Sequence, residues 1–175
     1  MTLGPTIHAS AVLIGAKAIL LRGPAGSGKS RLALRLIQSA PHSPLRFVRL
    51  VADDRVHIQG VHGRLIARPP AALAGLLEIR GIGIRQLAFE RMAVISWVLD
   101  LGDAGAERMP EGSAIATDIE GIRLPRLAVA SGCDPFPMVL AVLTSGSLPA
   151  MAKCPDHTGP GGHADQNLAT EGVRG

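Results

Sequence analysis

The chain has 175 residues, the length of one ordinary domain, and 47% of them are hydrophobic, which excludes a disordered or fibrous protein. Aromatic residues make up only 2% of the chain. This argues against a protein that binds single-stranded nucleic acid, because such proteins stack bases on aromatic side chains. The net charge of +4 is spread without a basic cluster, so we expect no nucleic acid and no membrane surface as partner.

In the amino-terminal part, apolar runs at residues 11–14 and 18–21 predict a β-hairpin around Gly15-Ala16-Lys17. The glycine-rich segment GPAGSGKS follows at 23–30. The apolar spacing of RLALRLIQSA then predicts a helix that begins at Ser30 and ends before Pro41. Short strands are predicted at 48–52, 56–59 and 65–67, with a pair of aspartates after the first of them.

In the carboxyl-terminal part, we predict a short helix at 71–77, a glycine-bearing segment EIRGIGIR, and a buried strand at 92–99. A loop at 103–112, strands at 114–119 and 127–130, and a last helix at 137–143 complete the expected domain, residues 1–149. Residues 150–175 are rich in polar residues and glycine, which predicts a disordered tail. The sequence has no evident signal peptide or apolar membrane span, so a cytoplasmic location is expected.

The segment at 23–30 matches the pattern G-x-x-x-x-G-K-[ST] of a phosphate-binding loop, or P-loop. Its glycines allow successive backbone N–H groups to point at phosphate oxygens, and the following helix directs its positive end at the same anion. Lys29 is expected to reach the β- and γ-phosphates, and the Ser30 hydroxyl to bind Mg²⁺. The predicted nucleotide contacts are Gly23, Pro24, Ala25, Gly26, Ser27, Gly28, Lys29 and Ser30.

The strand at 48–52 ends at Asp53-Asp54. Adjacent residues at a strand end point to opposite sides, so one carboxylate can face metal or substrate while the other packs against structure. Two carboxylates this close also suit a proton-transfer role. The alternative is that VADD only begins a turn and carries two solvated aspartates.

Three segments in order, GPAGSGKS, VADDRVHI and PPAALAGLLEIRGIGI, resemble the catalytic domain of bacterial HPr kinase/phosphorylase. The resemblance extends from about His8 to Val142. It implies an α/β fold similar to that of phosphoenolpyruvate carboxykinase, a P-loop nucleotide-binding domain with a mixed β-sheet and few helices. It also implies a protein serine kinase that uses ATP and Mg²⁺ to phosphorylate the phosphocarrier protein HPr.

The resemblance also suggests roles for single residues. Asp54 matches the family's general base, and Ser30 and Glu78 match its Mg²⁺ ligands. His8 would orient the base or a phosphate. Arg108, in AERMPEG, resembles an arginine that stabilises charge on the transferring phosphoryl group.

Some features depart from the longer family members. The chain resembles a short form that lacks their amino-terminal domain, and their carboxyl-terminal helices, which help to form a hexamer, have no counterpart in GSLPAMAKCPDHTGPGGH. A homo-oligomer is still expected. LAVASGCDPF replaces the basic stretch that longer members use for phosphorolysis, so the reverse activity stays open. Two alternative functions stay open as well: a regulatory module that senses ATP or phosphate without turnover, and a kinase of a small hydroxylated metabolite.

Overall fold

The structure, a computed structural model, describes residues 4–42, 45, 47–106 and 115–145. The strands in these residues are Thr6–His8 (β1), Ser10–Ile14 (β2), Lys17–Arg22 (β3), Val48–Ala52 (β4), Arg55–Val61 (β5), Arg64–Arg68 (β6), Leu76–Ile79 (β7), Gly83–Gln86 (β8), Ala93–Leu101 (β9), Ala116–Ile119 (β10) and Ile122–Val129 (β11). The helices are Lys29–Ser39 (α1) and Pro135–Ser145 (α2), and short 3-10 helices cover Ala40–His42 and Ala71–Leu73. No helix in this part of the chain is long and apolar enough to cross a membrane.

A mixed sheet with the strand order β1-β5-β6-β9-β3-β2-β4 forms the frame of the domain. The long strand β9 lies at its centre and runs parallel to β3. The first three residues of β9 pair with β6 antiparallel, and its last four residues pair with β11 parallel. The phosphate loop therefore leaves the sheet at the end of β3, beside the carboxyl-terminal end of β9.

The sheet curls until its two ends meet. Strands β1 and β4 lie at opposite ends of the sheet order, yet Ala9 alone joins β1 to β2, and only Asp53 and Asp54 join β4 to β5. Since consecutive Cα atoms are 3.8 Å apart, such short links hold the two ends of the sheet within a few ångströms of each other. We call these two links the strand crossings. They run side by side and bring residues near 8–10 next to residues 53–54.

Side chains that alternate along the strands fill two separate apolar layers. Val12, Ile14, Ile19 and Leu21 belong to a cluster that also contains buried residues of α1 and α2. The alternate residues, among them Ala11, Ala18 and Leu20, belong to a second cluster enclosed by the curled sheet. Because aromatic side chains are scarce, Leu, Ile, Val and Ala fill these clusters. Trp97 is the largest buried ring among the described residues.

The predicted fold class is confirmed: the domain is α/β, with a mixed sheet and two helices in the described residues. The predicted helix at 71–77 is wrong. It stops after one 3-10 turn, because Gly75 adopts φ 74° and its carbonyl accepts a hydrogen bond from Leu87 N. The chain then forms a separate two-stranded hairpin, β7–β8, which sequence analysis did not predict. The predicted tail, 150–175, lies outside the described residues.

Candidate active site

The phosphate loop, Gly23–Ser30, joins β3 to α1 and opens at the helix N-terminus. Gly23, Gly26 and Gly28 have φ values of 142°, 79° and 96°, which side chains other than glycine rarely adopt. A Cβ on Gly23 would also overlap the carbonyl oxygen of Leu101. The first turn of α1 contains no acidic residue, so nothing in it opposes the attraction of its N–H groups for an anion.

Lys29 is buried beneath this loop, and its ammonium donates hydrogen bonds to the carbonyl oxygens of Gly23 (2.8 Å) and Pro24 (3.0 Å). Burial lowers the pKa of Lys29, and the negative charges of Asp53 and Asp54 oppose part of that decrease. The ammonium is therefore held by the loop's own carbonyl oxygens, within electrostatic reach of both carboxylates.

Asp53 is the buried member of the aspartate pair, with 4% of its surface exposed. Its Oδ1 accepts two hydrogen bonds, from the Ser10 hydroxyl at 2.5 Å and from the Ser30 hydroxyl at 2.9 Å. Since Ser30 ends the phosphate loop, Asp53 connects that loop directly to the strand crossings. Sequence analysis missed Ser10, because its partner lies 43 positions away and no local pattern reports such a contact.

Asp54 has the opposite surroundings. Its side chain is 67% exposed, and its Oδ1 lies 3.6 Å from Nε2 of His8. Its backbone adopts a left-handed conformation, φ 63°, which turns the chain sharply between β4 and β5. The two neighbouring carboxylates thus point to different environments: Asp53 faces the phosphate loop from inside, and Asp54 stands in the open beside His8.

A first cleft of about 600 Å³ contains this group, and the β7–β8 hairpin forms its opposite wall. Glu78 and Arg80 of the hairpin line the cleft together with the phosphate loop, His8, Asp53 and Asp54. Buried Leu77 packs this hairpin into the cluster that contains α1. Eight of the predicted site residues line this cleft: His8, Ala25, Gly26, Gly28, Lys29, Ser30, Asp54 and Glu78. Pro24 and Ser27 line a second cleft, Gly23 lines neither, and Arg108 lies outside the described residues.

The oxygen ligands of the cleft fit Mg²⁺, which prefers hard oxygen donors. Ser30 donates its hydroxyl proton to Asp53, which leaves the lone pairs of its oxygen available, and Glu78 presents a carboxylate to the same cleft. The described residues contain no group of three acidic, histidine or cysteine side chains close enough to enclose a cation. A magnesium ion held here would therefore complete its coordination with phosphate oxygens and water, as Mg²⁺ usually does.

A second cleft of about 700 Å³ lies on the other side of the phosphate loop. Its walls include Ser27, Gly102, Arg35 and the turn from Ala130 to Asp134. The Ser27 hydroxyl is buried and has no hydrogen-bond partner among the described residues. The loop therefore separates two clefts, and only the first contains the aspartate pair.

An ion cluster supports the base of the phosphate loop, and sequence analysis missed it too. Arg22, directly before the loop, binds the Asp100 carboxylate through two hydrogen bonds of 2.7 and 2.8 Å, and Arg126 donates a third of 2.5 Å. Arg126 also bonds Asp103. Burial alone would raise the pKa of Asp100, but the two arginines outweigh it and hold that pKa below its usual value. The sequence signal for this cluster was Asp100, a single aspartate near the end of a predicted apolar strand.

The strand–loop–helix unit and the carboxylates that face it define a P-loop protein of the mixed α/β class. The chain belongs to the HPr serine kinase C-terminal domain family, whose model matches residues 1–91, just over half of the 175. The matched range includes the phosphate loop and the aspartate pair.

Individual relatives agree with this assignment. HPr kinase/phosphorylase of Clostridium beijerinckii is 42% identical over 78 residues, which cover 45% of this chain and 24% of that protein. The protein of the same name from Clostridium tetani is 38% identical over 99 residues, 57% of this chain and 30% of that protein. The chain thus spans less than a third of these curated relatives.

The fold agrees with a solved structure as well. The HPr(Ser) kinase/phosphatase of Coxiella burnetii superposes with a TM-score of 0.65 at 24% identity, over 81% of this chain and 95% of that one. At this identity the similarity concerns the fold. The curled mixed sheet is therefore a fold that this chain shares with that structure.

Proposed function

We propose that the chain is a kinase that transfers the γ-phosphoryl group of Mg-ATP to a serine hydroxyl of an HPr-type phosphocarrier protein. One observation carries the proposal: the exposed carboxylate of Asp54 and the phosphate loop line the same open cleft. A protein hydroxyl can enter that cleft from solvent, with a proton acceptor on one side and the donor phosphates on the other. We also propose that the protein is located in the cytoplasm and forms a homo-oligomer.

The donor would lie across the phosphate loop. The loop's N–H groups and the Lys29 ammonium bind the β- and γ-phosphates, with Ser30 and Glu78 as the protein ligands of Mg²⁺. Bound Mg²⁺ would neutralise charge on the phosphates. Because Asp53, Asp54 and Glu78 all line the first cleft, the γ-phosphate points into that cleft and the nucleoside enters the second, whose size suits a ligand of that kind.

Asp54 acts as the general base in this scheme. It accepts the proton of the serine hydroxyl while the serine oxygen bonds to the γ-phosphorus and the bond to the β-phosphate oxygen breaks, which releases ADP. His8, 3.6 Å from Asp54, orients the carboxylate. Arg108 is proposed to stabilise charge on the phosphoryl group, and it belongs to a segment outside the described residues.

The deciding experiment follows label from γ-phosphate of Mg-ATP to the HPr-type carrier of the same cell. We expect labelled phosphoserine with the wild-type chain and none with Lys29→Ala. A longer HPr kinase in the same assay serves as positive control. ATP binding without transfer would contradict the proposal and favour a nucleotide-sensing module, and label on a small hydroxylated metabolite would favour the other kinase.

A further inference from the structure

The hydroxyl of Ser10 is fully buried, and it donates a 2.5 Å hydrogen bond to Oδ1 of Asp53. The same oxygen accepts the hydroxyl proton of Ser30 at 2.9 Å. Three side chains thus form a continuous chain, hydroxyl to carboxylate to hydroxyl, that ends in the phosphate loop. Ser10 does not line either cleft, so it touches the site only through Asp53.

Two donors on one carboxylate oxygen fix the direction of both bonds. A buried carboxylate needs such partners, because the loss of a donor leaves part of its charge unsatisfied. With Ser10 in place, Oδ1 of Asp53 is held in position to accept the Ser30 proton. The Ser30 hydrogen is then directed to Asp53, so the lone pairs of the Ser30 oxygen remain available to a cation.

We infer that Ser10 is a positioning residue for the magnesium ligand Ser30, acting through Asp53; this inference rests on the proposed function. The two strand crossings place the two aspartates in different surroundings, and each aspartate therefore has its own role. Ser10, directly after one crossing, holds Asp53 of the other for the metal side of the site. His8, directly before the same crossing, lies beside Asp54 on the proton-transfer side.

Mg²⁺-dependent binding of ATP to the full chain, measured by calorimetry over a series of Mg²⁺ concentrations, tests this inference. We expect Ser10→Ala to raise the Mg²⁺ concentration for half-maximal binding by about tenfold or more, the usual effect of losing a partner that orients a metal ligand.

Ser96→Ala is the matched control. Ser96 is a half-buried serine of the same sheet; its hydroxyl donates a hydrogen bond to the carbonyl oxygen of Ala18 at 3.1 Å, and it lines neither cleft. It should lose a hydrogen bond without any change in Mg²⁺ dependence. Should Ser10→Ala fail to fold, Ser10→Cys keeps nearly the same volume with a much weaker donor, and the same shift is expected.

A double-mutant cycle shows whether Ser10 acts through Asp53. The pair Ser10→Ala with Asp53→Asn should bind no more weakly than Asp53→Asn alone, because the path from Ser10 to the metal is already broken. Additive losses, or an unchanged Mg²⁺ requirement in both Ser10 variants, would overturn the inference. A wild-type chain that binds no ATP at any Mg²⁺ concentration would instead overturn the proposed function, and the inference with it.

Discussion

Asp54 combines an exposed side chain with a left-handed backbone conformation. Its charge can therefore be removed by a substitution that leaves the backbone and the packing unchanged. Asparagine tolerates φ near +60°, so Asp54→Asn removes the charge without new strain. We expect phosphate transfer to fall by about 10²–10⁴-fold, the usual contribution of a general base. ATP affinity measured on the same preparation should stay within about twofold of the wild-type value.

The exposed surface aspartate Asp118, 3.9 Å from Arg123, offers a control. Asp118→Asn should change neither transfer nor binding, since it lies outside both clefts. If Asp54→Asn weakened ATP binding as strongly as it slowed transfer, Asp54 would be a metal or structural residue instead of the base.

Asp100 carries a different prediction, because its role is to hold two arginines under the phosphate loop. Asp100→Asn breaks a buried ion cluster and should lower the free energy of unfolding by about 3 kcal/mol at pH 7. Urea unfolding followed by circular dichroism measures this loss. A difference below about 0.5 kcal/mol would contradict a stabilising role for the cluster.

The same residue gives a pH dependence with a defined sign. The folded chain holds the pKa of Asp100 below its ordinary value of 3.8, so the native state binds fewer protons at this group than the unfolded state does. Its contribution is therefore complete above about pH 4 and is lost as the pH falls through the native pKa. The stability difference between wild type and Asp100→Asn should shrink over that interval.

Among the elements, the turn between β11 and α2 is the one expected to contact the nucleoside. Ser131 is exposed in this turn and lines the second cleft, so Ser131→Trp should fill that cleft. We expect ATP affinity to fall about tenfold, while affinity for tripolyphosphate, which has no nucleoside, stays unchanged. Ala141→Trp on the exposed side of α2 is the control. Equal loss of both ligands in Ser131→Trp would place the nucleoside elsewhere.

Local patterns were sufficient to predict the elements whose partners are close in sequence. The hairpin β2–β3, the phosphate loop and α1 follow from apolar spacing and glycine positions within about thirty residues. The structure of residues 71–86 did not follow from local patterns. There, the positive φ of Gly75 and the hydrogen bond from Leu87 N to its carbonyl oxygen impose a hairpin on a segment with helical spacing. Ser10 and the Arg22–Asp100 pair depend on partners 43 and 78 positions away, which the pattern of one segment cannot reveal.

For the whole molecule, ligand binding should stabilise the fold, because the site exists only in the native state and the unfolded chain does not bind the ligand. A ligand at about a hundred times its dissociation constant adds about 2.7 kcal/mol to the free energy of unfolding. For a domain of this size, that corresponds to a rise of roughly 5–10 °C in the melting temperature. Calorimetric scans with Mg-ATP should show this rise in the wild type and not in Lys29→Ala. Mg²⁺ alone should have little effect on either chain.

The strand pairings next to the crossings also determine when the two halves of the site form. The phosphate loop needs β3, α1 and β9, whereas the pair of Ser10 with Asp53 needs β2 to pair with β4, and the pair of His8 with Asp54 needs β1 to pair with β5. A chain in which these pairings had not formed would hold an anion-binding loop without its proton acceptor in position. Under the proposed function, such a chain would capture ATP but could not transfer its phosphate, so competence for transfer would require these long-range strand pairings.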